Sequence, residues 1–295
     1  MSGSSGLLLL NKKPGITSFE ALAELKRAFN TGKAGHTGTL DKFASGLLLV
    51  LIGRGVKLVS LFSGCAKEYT GVIRFGEETD TLDPEGAVIA DGPLPSRERV
   101  EEALAAFRGS IMQAPPLYSA LHINGRRAHE LAREGREVVM EERPVTVHSL
   151  ELVSWNPPEA AISAKVSSGT YIRSLARDIA LKAGSRGHLI ALERIAVGNF
   201  RLENAAPDGD DLLKALRPLD ENLFKVLSMP CLYAGEEAAR RFIHGMPVEG
   251  IFPEKDLAPG TPAAAVFREG RPEALLGIIG EKSGKWGYVH VFADN

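Results

Sequence analysis

The amino-acid sequence predicts an α+β fold. Two observations carry that prediction. Within the first 227 residues, strand-like segments rich in β-branched and aromatic residues are mixed with segments whose apolar residues recur at helical spacing. The last 68 residues then change character. They read as short strands and Pro/Gly-rich turns around one helix, a separate small β-barrel-like domain.

Residues 1–6 read as a flexible head and 7–11 as a short strand, ended by the turn signal KKPG. Thr17 or Ser18 caps a helix through Phe29, with Phe19, Leu22, Leu25 and Phe29 at helical spacing. A loop rich in small residues (35–46) leads into 47–52, a buried strand or helix start. Residues 67–76 read as a strand, and DTLDPEG (80–86) is a turn bent by Pro84 and Gly86. An amphipathic helix follows over 97–107, with Val100, Leu104 and Phe107 on one side. Residues 113–135 open irregularly and become a short helix ended by Gly135. Segments 145–152 and 161–167 alternate as strands. A helix then runs from SSGTYIR to about Lys182, closed by Gly184, and 191–200 is strand-like again. After a loop at 207–211, a helix from Leu212 carries the chain to Leu227, and the tail holds a helix over Glu236–Ile243.

Composition excludes several classes. No apolar run approaches the roughly 20 residues that span a bilayer, and the leucines at 7–10 lack the basic stretch that precedes a signal-peptide core. Cys65 and Cys231 stand far apart without CxxC spacing, which excludes a disulfide scaffold and a cysteine zinc site; a reducing cytoplasm is the simplest setting. Net charge is −2 but unevenly spread: residues 1–75 carry +6 and 165–201 carry +5, against −7 over 76–107 and −5 over 202–295. The basic blocks either converge on one face that binds a polyanion or are scattered, solvated surface, and charge alone favours the second.

Common chemical signatures are missing. There is no GxxxxGK[ST] phosphate loop and no GxSxG elbow; HELAR lacks the second histidine of a zinc-protease helix, and DTLDPEG lacks the alternating acids of a calcium loop. What remains is a lone carboxylate, Asp41, in the small-residue loop, together with Tyr171 and Arg173 where a strand gives way to a helix. Arg173 is either a surface cation at a helix start or the forked partner that Asp41, if buried in its loop, needs to stay ionised.

GHTGTLDKFASGLL resembles the catalytic-loop motif of the TruB family of tRNA pseudouridine synthases, and further motifs follow in the family's order. These are KEYTGVIRFGEETDTLDPEG, QAPPLYSALHINGRRAHELAREG, KVSSGTYIRSLARDIA and LERIAVGNF, so the resemblance covers about residues 7–200. It extends weakly to a C-terminal PUA-like module. The resemblance implies a pseudouridine synthase fold, with a mixed, mainly antiparallel sheet and flanking helices. It places the catalytic domain at 1–227, with an RNA-gripping insert at about 121–143, and an RNA-binding domain at 228–295.

By the same resemblance the substrate is uridine 55 in the T loop of tRNA, and Asp41 is the catalytic carboxylate. Arg173 would orient Asp41, and Tyr69 would stack on the flipped uracil and assist proton transfer at C5. Tyr171 and Ile195 would line the pocket, His36 would contact RNA where the base departs, and Lys12 would support the loop. Arg126, Arg127, Arg133 and Arg136 would bind phosphates. An isomerisation with no redox change and no group transferred away calls for no cofactor and no metal. The expected protein is a cytoplasmic monomer acting on the tRNA T arm, with no membrane and no obligatory protein partner.

Two other classes compete: a helper that folds tRNA without chemistry, and a guide-dependent synthase that shares this catalytic domain. The intact Asp41, Tyr69 and Arg173 argue against the first, and the 121–136 insert against the second. A glycosidase would want a second carboxylate at a defined distance; Asp80 and Asp83 read as turn residues. The chain departs from the family pattern at KKPG, at Lys42 and Phe43 after the acid, and at His122 and His129 in the insert.

Overall fold

The computed structural model describes residues 4–119, 121–123, 126–127, 140–206, 212–252, 263–282 and 285–292. In chain order the strands of the large sheet are β1 (Gly6–Lys12), β2 (Ala34–His36), β3 (Ser45–Ile52) and β4 (Lys67–Phe75). A side ribbon of β5 (Glu77–Thr79) and β6 (Val88–Asp91) comes next, then β7 (Gly109–Gln113). A short hairpin, β8 (His122–Ile123) and β9 (Arg126–Arg127), precedes β10 (Arg143–Asn156), β11 (Glu159–Val166), β12 (Gly187–Val197) and β13 (Phe200–Arg201). The main path runs β1-β3-β12-β4-β11-β10-β7, with β2 beside β3 and β13 beside β12. Only the β3–β12 contact on this path is parallel, so the sheet is mixed and mainly antiparallel, as expected.

β3 settles how the greasy run after the Asp41 loop is used. Leu48, Val50 and Ile52 point into one buried cluster with Leu8, Leu22 and Ile172, while Leu47, Leu49 and Leu51 point into a second. A strand buried on both faces loses the polar alternation of a half-exposed one, which is why the sequence could not tell it from a helix.

The second cluster is completed by the C-terminal sheet, β14 (Cys231–Ala234), β15 (Ala263–Arg268), β16 (Arg271–Lys282) and β17 (Lys285–Val291), in that order. Ala265, Phe267 and Ile278 from this sheet, and Phe292 just after β17, pack with Leu7, Leu49, Phe62 and Phe224. The two sheets therefore share apolar core.

Three sequence expectations change. Gly6 lies in β1 opposite Ile52 and not in a loose head. Of the two expected caps, Thr17 starts the helix Ser18–Ala28, in a capping box with Glu20, but Phe19 is 74% exposed. Ser18 takes the inward position instead, because its hydroxyl exchanges hydrogen bonds with both the N–H and the C=O of Leu40, at 2.9 and 3.0 Å. The expected helix from Leu212 shrinks to Glu221–Val226. Pro218 has no N–H for a helix, and the Arg217 backbone is taken up by β1, exchanging both hydrogen bonds with Leu7 at 2.8 and 2.9 Å. The expected helix ending at Gly135 lies outside the described residues. Among the described residues no helix is long and apolar enough to cross a membrane.

Gly46 joins the Asp41 loop to the core. Its φ is +102°, and a β-carbon there would lie 2.4 Å from the Arg194 carbonyl oxygen and 2.7 Å from the Arg194 nitrogen. Gly46→Ala is expected to lower stability by roughly 3 kcal/mol or more, since positive-φ strain adds to a backbone collision. Urea unfolding checks this, and a change under about 0.5 kcal/mol would remove the argument for this close approach.

Candidate active site

Asp41 and Arg173 meet across the molecule. Asp41 comes from the loop between β2 and β3, and Arg173 from the first turn of the helix Ile172–Lys182. Arg173 Nε donates to Asp41 Oδ2 at 3.0 Å and Nη2 to Oδ1 at 3.2 Å, a forked pair. The guanidinium is nearly buried, while the Asp41 side chain keeps 37% of its surface open. Two lone-pair positions of the carboxylate are therefore engaged and the others face outward.

The rest of the guanidinium is also occupied. Nη1 donates to the Thr81 carbonyl at 2.7 Å and to Asp83 Oδ2 at 3.3 Å, and Nη2 donates to the Tyr118 carbonyl at 3.0 Å. All five N–H groups of Arg173 thus have partners. Asp83 was expected only to shape its turn, and it does so, accepting from Thr81 Oγ1 at 2.6 Å and Glu85 N at 3.0 Å. It is in addition the second carboxylate on Arg173. Leu82, between Thr81 and Asp83, sits at φ +62°, a left-handed conformation that costs a residue with a β-carbon about 1–3 kcal/mol. The turn's hydrogen bonds hold it there, with Thr81 O and Asp83 both presented to Arg173.

Burial pushes the Asp41 carboxyl above the usual aspartate range; Arg173 opposes this and Asp83 adds to it. A carboxyl whose proton is favoured by folding stabilises the fold below its unfolded pKa and loses that contribution as pH rises through its folded pKa. Its titration, followed by the NMR shift of the carboxyl carbon, is expected to have a midpoint above the ordinary 3.8. A midpoint at or below 3.8 would mean that Arg173 outweighs burial.

The loop that carries Asp41 is braced from beneath by Arg194, which is 1% exposed. Its Nε donates to Leu47 O at 2.7 Å, Nη2 to Gly38 O at 3.0 Å and Nη1 to Thr39 O at 3.4 Å. Lys12, also buried, ties down the turn after β1 through Lys13 O and Ile16 O. Gly15 N donates to Lys42 O, so the loop is fastened at the position that departs from the family pattern. Lys67 lies under Gly38 and donates to Ser63 O and Cys65 O; burial, and then Arg194, lower its pKa to about 8.

Tyr69, 8% exposed, belongs to the buried cluster containing Leu40 and Ala44, which flank Asp41, and Ile172, which precedes Arg173. Across β4 and β12 it faces Arg194. Ile195 is the extra residue of a β-bulge: Arg194 pairs with Tyr69 and Ala196 with Glu68, so Ile195 is left unpaired. Tyr171 caps the helix N-terminus, its N–H and C=O both held by the Gln113 side chain at 2.8 and 3.1 Å. His36 ends β2, opposite Val50. Its Nδ1 is buried without a hydrogen-bond partner among the described residues, and burial, helped by Arg194, lowers its pKa and favours the neutral ring. Arg126 is exposed on the β8–β9 hairpin, a separate small sheet, and Arg127 follows it there. Arg133, Arg136 and His129 lie outside the described residues.

Sequence reasoning missed Asp83, Arg194 and Gln113, although all three lie in quoted motifs. The signal available was polarity in the wrong place: a strand position for Arg194 and a strand end for Gln113, both 1% exposed in the fold.

A family model described as TruB family pseudouridylate synthase (N terminal domain) matches residues 26–172. Similar curated proteins include tRNA pseudouridine synthase B of Borreliella burgdorferi, 44% identical over 204 residues, which span 68% of this chain and 72% of that one. The protein of the same name from Francisella philomiragia is 46% identical over 204 residues, 68% of each chain. That from Treponema denticola is 42% identical over 233 residues, 72% of this chain and 65% of that one. Among solved structures, a Cbf5–Nop10–Gar1 complex has a chain that superposes with a TM-score of 0.69 at 24% identity, over 98% of this chain and 84% of that one. An archaeal box H/ACA Nop10–Cbf5 complex gives 0.66 at 21%, over 99% and 86%. At these identities the structural likeness speaks for the fold.

Proposed function

The chain belongs to the TruB family of pseudouridylate synthases, which isomerise uridine to pseudouridine in tRNA, and from that premise we propose that its target is uridine 55 of the T loop, with Asp41 as the catalytic carboxylate. The observation that carries the reading is the forked Arg173–Asp41 pair, which leaves a fixed carboxylate open on its outer side.

The target base cannot react within a folded loop, so it is flipped outward, and stacking on Tyr69 replaces what it loses, about 1–3 kcal/mol per base. Tyr171 and Ile195 line the pocket, and His36, neutral, meets the RNA beside the vacated position. The N1–C1′ bond breaks and the uracil turns while bound. C5 then bonds to C1′, the C5 hydrogen leaves as a proton, and N1 gains one. Atoms and electrons balance within the nucleotide and the solvent, so no cofactor or metal is called for. Asp41 supplies the transient covalent or electrostatic partner that makes the glycosidic bond labile.

Residues 228–295 act as a PUA-like RNA-binding domain behind the catalytic domain of 1–227. Its sheet lies within the superposition on the Cbf5 chain. The protein works in the cytoplasm as a monomer, without guide RNA or protein partner. The higher identity to the tRNA pseudouridine synthase B proteins than to Cbf5 supports this. Arg126 and Arg127 grip the T arm through phosphates, which makes binding fall steeply with salt.

The test is tritium release from tRNA transcript carrying [5-³H]uridine, in buffer containing chelator. One tritium released per tRNA, lost when uridine 55 is replaced by cytidine, supports the reading. Tight binding with no release would point to a tRNA-folding role, and release unaffected by the replacement to another target uridine.

A further inference from the structure

Arg143 is not used in the account above, and its surroundings are unlike those of Arg173. It opens β10, where the chain rejoins the sheet, and pairs there with Gln113, the residue whose amide clamps Tyr171. Its guanidinium lies 5.1 Å over the Tyr171 ring. Nη2 donates to the Gly169 carbonyl at 2.8 Å, while the Nε–H is buried and, among the described residues, has no hydrogen-bond partner. Arg173 satisfies five donors and faces two carboxylates; Arg143 satisfies one through Gly169 and, among the described residues, is paired with no carboxylate. A guanidinium stacked on an aromatic ring, with donors left over beyond the Gly169 bond, is the arrangement that accepts the oxygens of an anion. Burying an unpaired N–H of a cation is costly, and a shift of the guanidinium onto a ligand oxygen removes that cost.

We propose that Arg143 is a phosphodiester-binding residue at the mouth of the pocket. It holds one backbone phosphate of the RNA beside the flipped nucleotide and, through the same guanidinium, holds the Tyr171 ring. Backbone binding and pocket shape are thereby linked in one side chain: the RNA phosphate fixes the guanidinium, and the guanidinium fixes the tyrosine. The inference rests on tRNA as substrate and on Tyr171 as pocket wall.

The test uses T-arm RNA stem-loops in which single loop phosphates are replaced, one at a time, by uncharged methylphosphonate. Binding is read by filter retention and turnover by single-round tritium release, for wild type, Arg143→Gln and Arg143→Lys, with melting curves to verify folding. In wild type, one replacement is expected to weaken binding about 10-fold or more, as for loss of a charge-assisted contact. In Arg143→Gln, which already binds the all-phosphate RNA about as weakly, that replacement should cost less than about 2-fold further. The slope of log affinity against log salt should fall by about 0.7 in Arg143→Gln, the single-strand value for one phosphate, and return in Arg143→Lys. The lysine variant should still turn over more slowly, because an ammonium cannot stack and fork together. A purely structural Arg143 would lower the melting temperature and leave the phosphate penalties additive, which would overturn the proposal. So would wild-type-like binding and salt slope in Arg143→Gln. An inactive wild type would count against the isomerase reading instead, and filter retention would still decide whether Arg143 holds a phosphate.

Discussion

Asp41→Asn is expected to bind tRNA almost as wild type does and to release tritium at least on the order of 10⁴-fold more slowly, as when a nucleophile is removed from a set that acts as a unit. The amide has the shape of the carboxylate and keeps one oxygen for Arg173. It has neither the charge nor the nucleophilicity. Because the side chain is 37% exposed and its loop is held by Arg194 and Gly15, the exchange leaves the loop in place. Single-turnover release with excess enzyme separates chemistry from binding. Activity within about 10-fold of wild type would mean that another group starts the reaction, since that is a barrier change of only about 1.4 kcal/mol.

Arg173 is expected to matter for stability as well as rate. Arg173→Met removes five donated hydrogen bonds and leaves Asp83, with only 7% of its side chain open, facing Asp41 without a cation between them. Breaking such a buried arrangement from one side costs roughly 3–5 kcal/mol. At a few degrees per kcal/mol for a chain of this size, the melting temperature should fall by about 5–15 °C. Arg173→Lys keeps the charge but cannot fork onto Asp41 while reaching Thr81 O, Tyr118 O and Asp83. It should recover part of the stability and little of the rate. In either variant the Asp41 titration should move to higher pH, most in the methionine variant, because the charge that opposes burial is weakened or gone. A lysine variant with wild-type turnover would reduce Arg173 to a simple counter-charge.

The legibility of this site in the sequence depended on whether a residue's role is local. Asp41 stood out as the one acid in a loop of small residues, and Arg173 as a cation where a strand becomes a helix. Local reading left their pairing as one of two alternatives, and only the family resemblance favoured it, because they are 132 positions apart and the sheet brings them within 3.0 Å. Asp83 shows the limit best. Its turn bonds, at two residues' range, were readable, whereas its bond to Arg173 spans 90 positions and left no local mark. Phe19 went wrong for a related reason. Helical spacing ranks it with Leu22 and Leu25, but the Leu40 backbone needed a hydroxyl on the inner side, and Ser18 supplied it.

By itself the sequence determined the elements whose causes are near neighbours. The Thr17 capping box starts its helix, Gly184 at φ +77° ends another, and the acids and threonines of 79–87 close their turn on one another. It also determined that residues 47–52 would be buried, since six consecutive apolar side chains have no other low-energy place in water. The tertiary structure alone decided that this burial is two-sided. Leu47, Leu49 and Leu51 need an apolar cover on the second face of the sheet, and Ala265, Phe267, Ile278 and Phe292 provide it from more than two hundred positions away. It alone decided too that Arg194 would sit beneath the Asp41 loop. A buried guanidinium is tolerated only where several carbonyls converge, and three converge there because the loop's backbone folds back over β12. Contacts of that range come from packing whole elements together, which no window along the chain contains.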